Sequence, residues 1–260
     1  MPLSLTQNQI KQFRLNGYLV LKSVLSSLEV DILADHCDLI ASGRLGHIPE
    51  SSIQLEPVFR NEGKLVSDRV LSVRKLSDLA VHDDTMWAHA TNSKIVDVIS
   101  DLLNTEDIKL YGDQLFMKAS NTGSAQPWHQ DSASWRDIVP MDLITAWTAI
   151  DHATTENGCL NFAPGTHQWG MLRGHRLSPI TDDLDRGRWP VIPVPLSRGS
   201  ISFHHSLVLH QSNANLSQMR RRGYATHYMR ASSFKDESIK DAPQKPQFRQ
   251  VRGRSLSGRV

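Results

Sequence analysis

From about residue 108 to residue 230 the chain is a succession of short β-type runs divided by turn signals, and this texture constrains the fold more than any other feature. Strands are predicted over 108–118, 125–131, 143–150, 159–162, 191–194, 199–204, 206–210 and 221–230. Asn157-Gly158 marks a tight turn between two of them, and Pro164-Gly165 and Gly199-Ser200 mark others. Short strands so closely spaced imply an all-β sandwich or barrel. Their number suits a double-stranded β-helix, jelly-roll or cupin-like, so the expected class is mainly β with flanking α-helices.

The helices precede this region. Thr6 to Leu15 reads as a short amphipathic helix closed by Gly17, followed by an apolar strand at Tyr18-Leu19-Val20-Leu21. Ser26 or Ser27 can cap a second helix that ends near Gly43 and places Val30, Leu33, Ala34, Cys37 and Ile40 on one face. Residues 44–68 read as irregular. Further helices are predicted over 84–90 and 93–103, the latter capped by Asn92 or Ser93. The 260 residues contain no linker-like stretch, so one domain is expected: a helical part over about 1–105, a jelly-roll core over about 106–230 and a polar basic tail over 231–260.

Charge and cysteine content narrow the function classes. A net charge of +2 gives no whole-protein attraction to nucleic acid. The tail from 231 carries a surplus of +4, which reads as a solvated or partner-facing segment, a polar tail with no further role being favoured, and the rest is near −2. No run approaches the roughly 20 apolar residues of a membrane-spanning helix. The start, Met1-Pro2-Leu3-Ser4, lacks the basic and apolar regions of a signal peptide. Cys37 and Cys159 sit in apolar settings and are expected to be reduced and buried. The expectation is a cytoplasmic protein acting on a small molecule, with no nucleic-acid or membrane partner.

Two fragments carry the chemistry. Pro127-Trp128-His129-Gln130-Asp131 stands 81 residues before His210-Gln211-Ser212-Asn213-Ala214-Asn215, which is followed by Arg220-Arg221-Arg222. His-x-Asp occurs three times, and context separates the cases. His36 and Asp38 fall mid-helix, where residues two apart diverge. His82 and Asp84 precede a helix, where acidic residues suit the N-terminus. Only His129 and Asp131 fall on a strand or its end, where residues two apart share a face. Two imidazoles and one carboxylate leave open positions on a metal, the non-haem Fe(II) arrangement. A nearby guanidinium can pair with the carboxylate of an organic co-substrate.

With these residues in place, the chain resembles the phytanoyl-CoA dioxygenase family of Fe(II)/2-oxoglutarate oxygenases over about residues 10 to 230. The resemblance is carried by Leu115-Phe116-Met117-Lys118 leading to Trp128-His129-Gln130-Asp131, by Thr145-Ala146-Trp147-Thr148-Ala149-Ile150-Asp151, by Glu156-Asn157-Gly158-Cys159-Leu160, by Pro164-Gly165-Thr166-His167, and by His210-x-Ser212-x-x-Asn215-x-Ser217 with its Arg cluster. It implies that His129, Asp131 and His210 hold iron. Arg221 and Ser212 would meet the distal carboxylate of 2-oxoglutarate, and Trp147, Gln114 and Lys75 would line its pocket. O2 would be the oxidant, and succinate and CO2 the products. Relatives that halogenate lack the carboxylate ligand, so Asp131 favours hydroxylation; desaturation, cyclisation and epimerisation use the same ligand set. Where the family has Lys-Pro-Pro after the strand, this chain has Lys118-Ala119-Ser120, a change confined to a loop.

Other readings stay open at this stage. His204 or His205 could replace His210, Trp147 could be plain core, and Arg220 or Arg222 could take the place of Arg221, since alternate residues of a strand face opposite sides. A zinc- or manganese-dependent isomerase or hydrolase on the same barrel would make Arg221 and Ser212 coincidental. The segments expected to border the barrel mouth, 44–62, 132–142 and 168–190, hold Arg44, Arg60, Arg136, Arg173, His175 and Arg176 beside Asp182, Asp183 and Asp185, a mild preference for a polar or anionic substrate. The 168–190 segment could serve as a lid. The sequence does not set an oligomeric state.

Overall fold

A computed structural model describes residues 4–62, 68–172, 177–239 and 248–260. The N-terminal part forms α1 (Gln7–Asn16), β1 (Tyr18–Leu21), α2 (Ser27–Ala41), β2 (Ile53–Leu55), α3 (Pro57–Glu62), α4 (Arg69–Ser72), β3 (Val73–Ser77), α5 (Asp84–Ala90) and α6 (Ser93–Leu103). Capping fixes the helix starts. Thr6 and Ser26 each close a reciprocal capping box with the Gln or Glu three residues on, and Gly17 ends α1 in the left-handed conformation that favours glycine. Asn92 caps α6 and Asp83 caps α5. The stretch 44–68 is less irregular than its sequence implied, because β2 pairs with β3, and β3 in turn with β4.

The strand-rich part follows: β4 (Ile108–Lys118), β5 (Gln126–His129), β6 (Ile138–Val139), β7 (Ile144–Ala149), β8 (Leu160–Phe162), then α7 (Leu177–Asp185), β9 (Ile192–Val194), β10 (Ile201–His205), β11 (His210–Ser212), β12 (Arg221–Arg230), β13 (Phe234–Lys235) and β14 (Arg249–Arg252). The major sheet runs β1-β10-β7-β12-β4-β3-β2, with β14 also on β4, and the minor sheet runs β5-β11-β8-β9. All the pairings are antiparallel. Trp147, Ala149 and Ala225 of the major sheet pack on Leu160, Phe162 and Val194 of the minor one. This is the double-stranded β-helix, and the predicted strands at 108–118 and 221–230 match β4 and β12 residue for residue. The predicted strand at 206–210 differs: Ser206 to Leu209 turn the chain, and pairing begins only at His210.

Alternation along each central strand divides the two environments. Leu115 and Met117, Ile144 and Ala146, and Tyr224 and Tyr228 pack on the helices, beside Ile10, Leu33, Met86 and Ile99. The intervening Gln114 and Phe116, Thr145 and Trp147, and Arg221, Ala225 and His227 face a cavity between the sheets. The tail also departs from its expectation. Among the described residues β14 joins the major sheet, Phe248 is buried against Tyr111, and Arg252 and Arg254 pair with Asp97, Glu106 and Asp107. The basic surplus therefore meets acidic groups around α6 and its C-terminal end rather than only solvent.

Candidate metal centre and co-substrate pocket

β5 ends at His129 and β11 begins at His210, and these two are register partners on neighbouring strands. Their ring centroids lie 4.1 Å apart. Asp131 lies past the end of β5 and opens a turn of 3-10 helix, so the turn rather than a shared strand face returns its carboxylate to the imidazoles. Asp131 Oδ1 is 3.5 Å from His129 Nε2 and 3.6 Å from His210 Nε2. Among the described residues this trio is the one group of three His, Cys, Asp or Glu whose ligand atoms lie within 4.8 Å of one another.

The ring tautomers show what belongs between them. His129 Nδ1 lies 2.8 Å from the Pro127 carbonyl and His210 Nδ1 lies 3.1 Å from the Val208 carbonyl. A carbonyl only accepts, so each ring donates its Nδ1–H outward and turns the Nε2 lone pair toward Asp131. Three electron-pair donors thus face one another at distances too long for hydrogen bonds. A metal cation resolves that arrangement, and two neutral imidazoles with one carboxylate suit iron. Burial opposes ionisation of Asp131, but His210, His129 and His204 outweigh it and hold the carboxyl well below its usual range. Burial, with His129 alongside, keeps His210 well below the usual imidazole value, as a neutral ligand requires. Burial also pulls His129 down, but Asp131 outweighs it and raises that ring; a bound cation would replace the extra proton.

The second oxygen of Asp131 is anchored. Thr145 Oγ1 donates to Oδ2 at 3.0 Å, and His204 Nε2 lies 3.3 Å from the same atom. Thr145 Oγ1 is also 2.9 Å from His227 Nδ1, so a hydroxyl that donates to Asp131 receives its own hydrogen bond from His227. His204 therefore meets the carboxylate's other oxygen instead of joining the ligand trio. His205 points elsewhere: its Nδ1 accepts from the Leu207 amide at 3.1 Å and its ring lies against His167.

The same cavity, about 200 Å³ in volume, is lined by Arg221, Ser212, Trp147, Gln114 and Lys75 as well as the trio. Arg221 begins β12 and is 1 % exposed. Its Nη2 donates to the Gly158 carbonyl at 3.0 Å, its Nε has no partner, and no carboxylate among the described residues lies within ion-pair reach. Burial brings this guanidinium down to about 10. Its Cζ lies 5.3 Å from the centre of the Trp147 ring, so Trp147 is both core and pocket wall. A Cβ on Gly223 would come within 1.9 Å of that indole, and glycine there lets the ring lie across β12. Arg220 and Arg222 are engaged on the other side with Asp38 and Asp151. Arg221 is thus a buried cation lacking a counter-charge among the described residues, on the same cavity as the donor trio, and an anion bound there would supply one.

A sequence model of the phytanoyl-CoA dioxygenase family matches residues 13–223. The chain belongs to this family. A phytanoyl-CoA dioxygenase domain-containing protein 1 from Danio rerio is 26 % identical over 268 residues, covering 88 % of this chain and 91 % of the relative. The fold is shared with SnoK, an α-ketoglutarate-dependent carbocyclase from nogalamycin biosynthesis (TM-score 0.74, 19 % identity, 95 % and 97 % of the two chains). It is shared too with EctD from S. alaskensis, solved with 2-oxoglutarate and 5-hydroxyectoine (TM-score 0.77, 21 % identity, 99 % and 88 %).

Sequence reading of this family member missed several wall residues. Thr145 and His227 could have been found from alternation with Trp147 and Ala225, and Arg74 from the strand at 73–77, which carried no recognisable turn boundaries. Of the basic residues expected at the mouth, Arg44, Arg60 and Arg136 do not line the cavity, while Arg74 does. Arg173, His175 and Arg176 lie outside the described residues, as does the side chain of Asp185. Among the described residues no helix is long and apolar enough to cross a membrane.

Proposed function

We propose that this protein is an Fe(II)- and 2-oxoglutarate-dependent oxygenase that hydroxylates a small molecule. The observation that carries the reading is the coincidence, in one cavity, of an outward-locked His129–Asp131–His210 donor trio and an unpaired buried cation, Arg221. Iron with 2-oxoglutarate, when bound, supplies activation of O2 coupled to formation of succinate and CO2. The protein's residues do the rest. His129, Asp131 and His210 would hold the metal. Arg221 and Ser212 receive the distal carboxylate through charge-assisted hydrogen bonds, while Trp147, Gln114 and Lys75 bound the co-substrate pocket. Thr145 and His204 fix Asp131, Leu160 lines the cavity, and the Phe162 ring packs against His204 and His210.

Asp131 fills the third ligand position, which favours hydroxylation over halogenation. Cyclisation, the activity of SnoK, uses no additional ligand and is the second outcome to test for. A zinc or manganese hydrolase or isomerase is disfavoured, because it leaves Arg221 buried without an anion. Buried, unpaired Cys37 and Cys159 fit a reducing, cytoplasmic setting. The test is succinate release from 2-oxoglutarate by the purified protein. Slow release that requires Fe(II) and O2 and disappears in Asp131→Ala is expected. Full turnover in Asp131→Ala, or none in the wild type with any candidate substrate, contradicts the assignment.

A further inference from the structure

We propose that the substrate is a small organic anion and that Arg74 is the side chain that receives its carboxylate or phosphate group. The inference rests on the reading of the site as a 2-oxoglutarate oxygenase and adds the substrate class to it.

The charge inventory of the cavity carries it. Arg74, Lys75 and Arg221 line the cavity with cationic groups, and Asp131 is its one carboxylate among the described residues. In the loaded site the charges of ferrous iron, Asp131, dianionic 2-oxoglutarate and Arg221 cancel. A neutral substrate would leave the charge of Arg74 without a counter-charge in a space partly shielded from water, where charge is costly. An anion supplies one.

Arg74 is placed to do so. It lies on β3, half-buried, on the side of the cavity reached through Gln126 at the start of β5. Its Nη2 donates to the Ala125 carbonyl at 3.4 Å and to Gln126 Oε1 at 3.3 Å, both long bonds to neutral acceptors. Other arginines of this chain are engaged with carboxylates: Arg220 and Arg222 with Asp38, Arg230 with Asp142, Arg198 with Asp31. Arg74 has no carboxylate within ion-pair distance among the described residues, and its long Nη2 bonds to neutral acceptors can give way to a bidentate anion. Gln54 of the major sheet and Gln211 of the minor sheet also line the cavity and add amide groups suited to the polar remainder of such a molecule. The cavity lies below the roughly 300–1,000 Å³ of sites for drug-sized ligands, so the part that enters is small.

The experiment is calorimetric titration of the anaerobic protein, saturated with Fe(II) and 2-oxoglutarate, with acetate, inorganic phosphate and, as neutral control, acetamide. Saturation keeps Arg221 occupied, so the probes report on the remaining cation. Acetate or phosphate is expected to bind and acetamide not to; which anion binds more tightly distinguishes a carboxylate from a phosphate substrate. Arg74→Gln should weaken that binding at least tenfold with 2-oxoglutarate affinity unchanged, and Arg74→Lys should retain part of it. Absence of anion binding to the loaded wild type, equal binding of acetamide, or unchanged binding in Arg74→Gln overturns the inference while leaving the oxygenase reading intact. Failure of 2-oxoglutarate itself to bind overturns both.

Discussion

Replacing Arg221 with Leu separates co-substrate binding from folding, because the two respond with opposite sign. In the free protein the guanidinium is 1 % exposed, makes one hydrogen bond among the described residues, to the Gly158 carbonyl, and has an unpartnered Nε. Removing it leaves one carbonyl unsatisfied, which costs about 1–3 kcal/mol, but relieves the desolvation of an unpaired charge, which costs several kcal/mol. The unliganded variant should therefore melt at or above the wild-type temperature. The bound state loses charge-assisted hydrogen bonds, each about 1.5–3 kcal/mol, so 2-oxoglutarate affinity should fall by roughly 10- to 150-fold. In turnover assays KM for 2-oxoglutarate should rise by that factor while kcat at saturation changes much less, since the lost contact is remote from the reacting atoms. Arg221→Lys should recover part of the affinity, because the charge returns without the planar fork. An unchanged KM, or a strongly destabilised unliganded variant, would refute this reasoning and move attention to Arg220 or Arg222.

Thr145→Val removes the hydroxyl that donates to Asp131 Oδ2 and should lower metal affinity about 10- to 100-fold, measured by competition with a chelator; unchanged affinity would deny Thr145 a positioning role. Gly223→Ala forces a methyl into the Trp147 indole and should cost about 1–3 kcal/mol in a denaturant titration, whereas a neutral result would mean that the ring moves freely. Burial holds His89 down to about pH 4, while the unfolded chain takes up that proton near 6.5, so the unfolded state binds more protons between these values. The contribution of neutral His89 is then present above pH 6.5 and is lost as pH falls toward 4, by about 3 kcal/mol at most. His89→Gln should flatten the pH dependence of unfolding across that window, and an identical slope would exclude His89 as a source.

Much of this was legible in the sequence where one local rule acted alone. Caps set the starts of α1, α2 and α6, and two-residue alternation set β4 and β12, because every second residue meets the same sheet face. The donor trio was legible for a related reason: its members flank short strands that pair with each other. Reading failed where partners are distant. β3 is a strand only because β4 offers an edge, β2 only because β3 then does, and β14 only because the chain returns to β4 after residue 247. The segment 206–209 is as apolar as a strand, yet it turns because Val208 and Leu209 are buried in separate clusters on either side of the chain. Asp131 reached the site by a turn that period-two reasoning does not anticipate, and the contacts of Thr145 and His204 with its second oxygen became visible only once β7 and β10 were in register.

The most direct measurement is an anaerobic titration of metal-free protein with Fe(II) and then 2-oxoglutarate, followed by visible absorption. A weak charge-transfer band that needs both additions, and that is lost in Asp131→Ala, is the expected result, since it reports 2-oxoglutarate chelating iron at the trio. No band, with zinc or manganese retained tightly instead, would contradict the assignment.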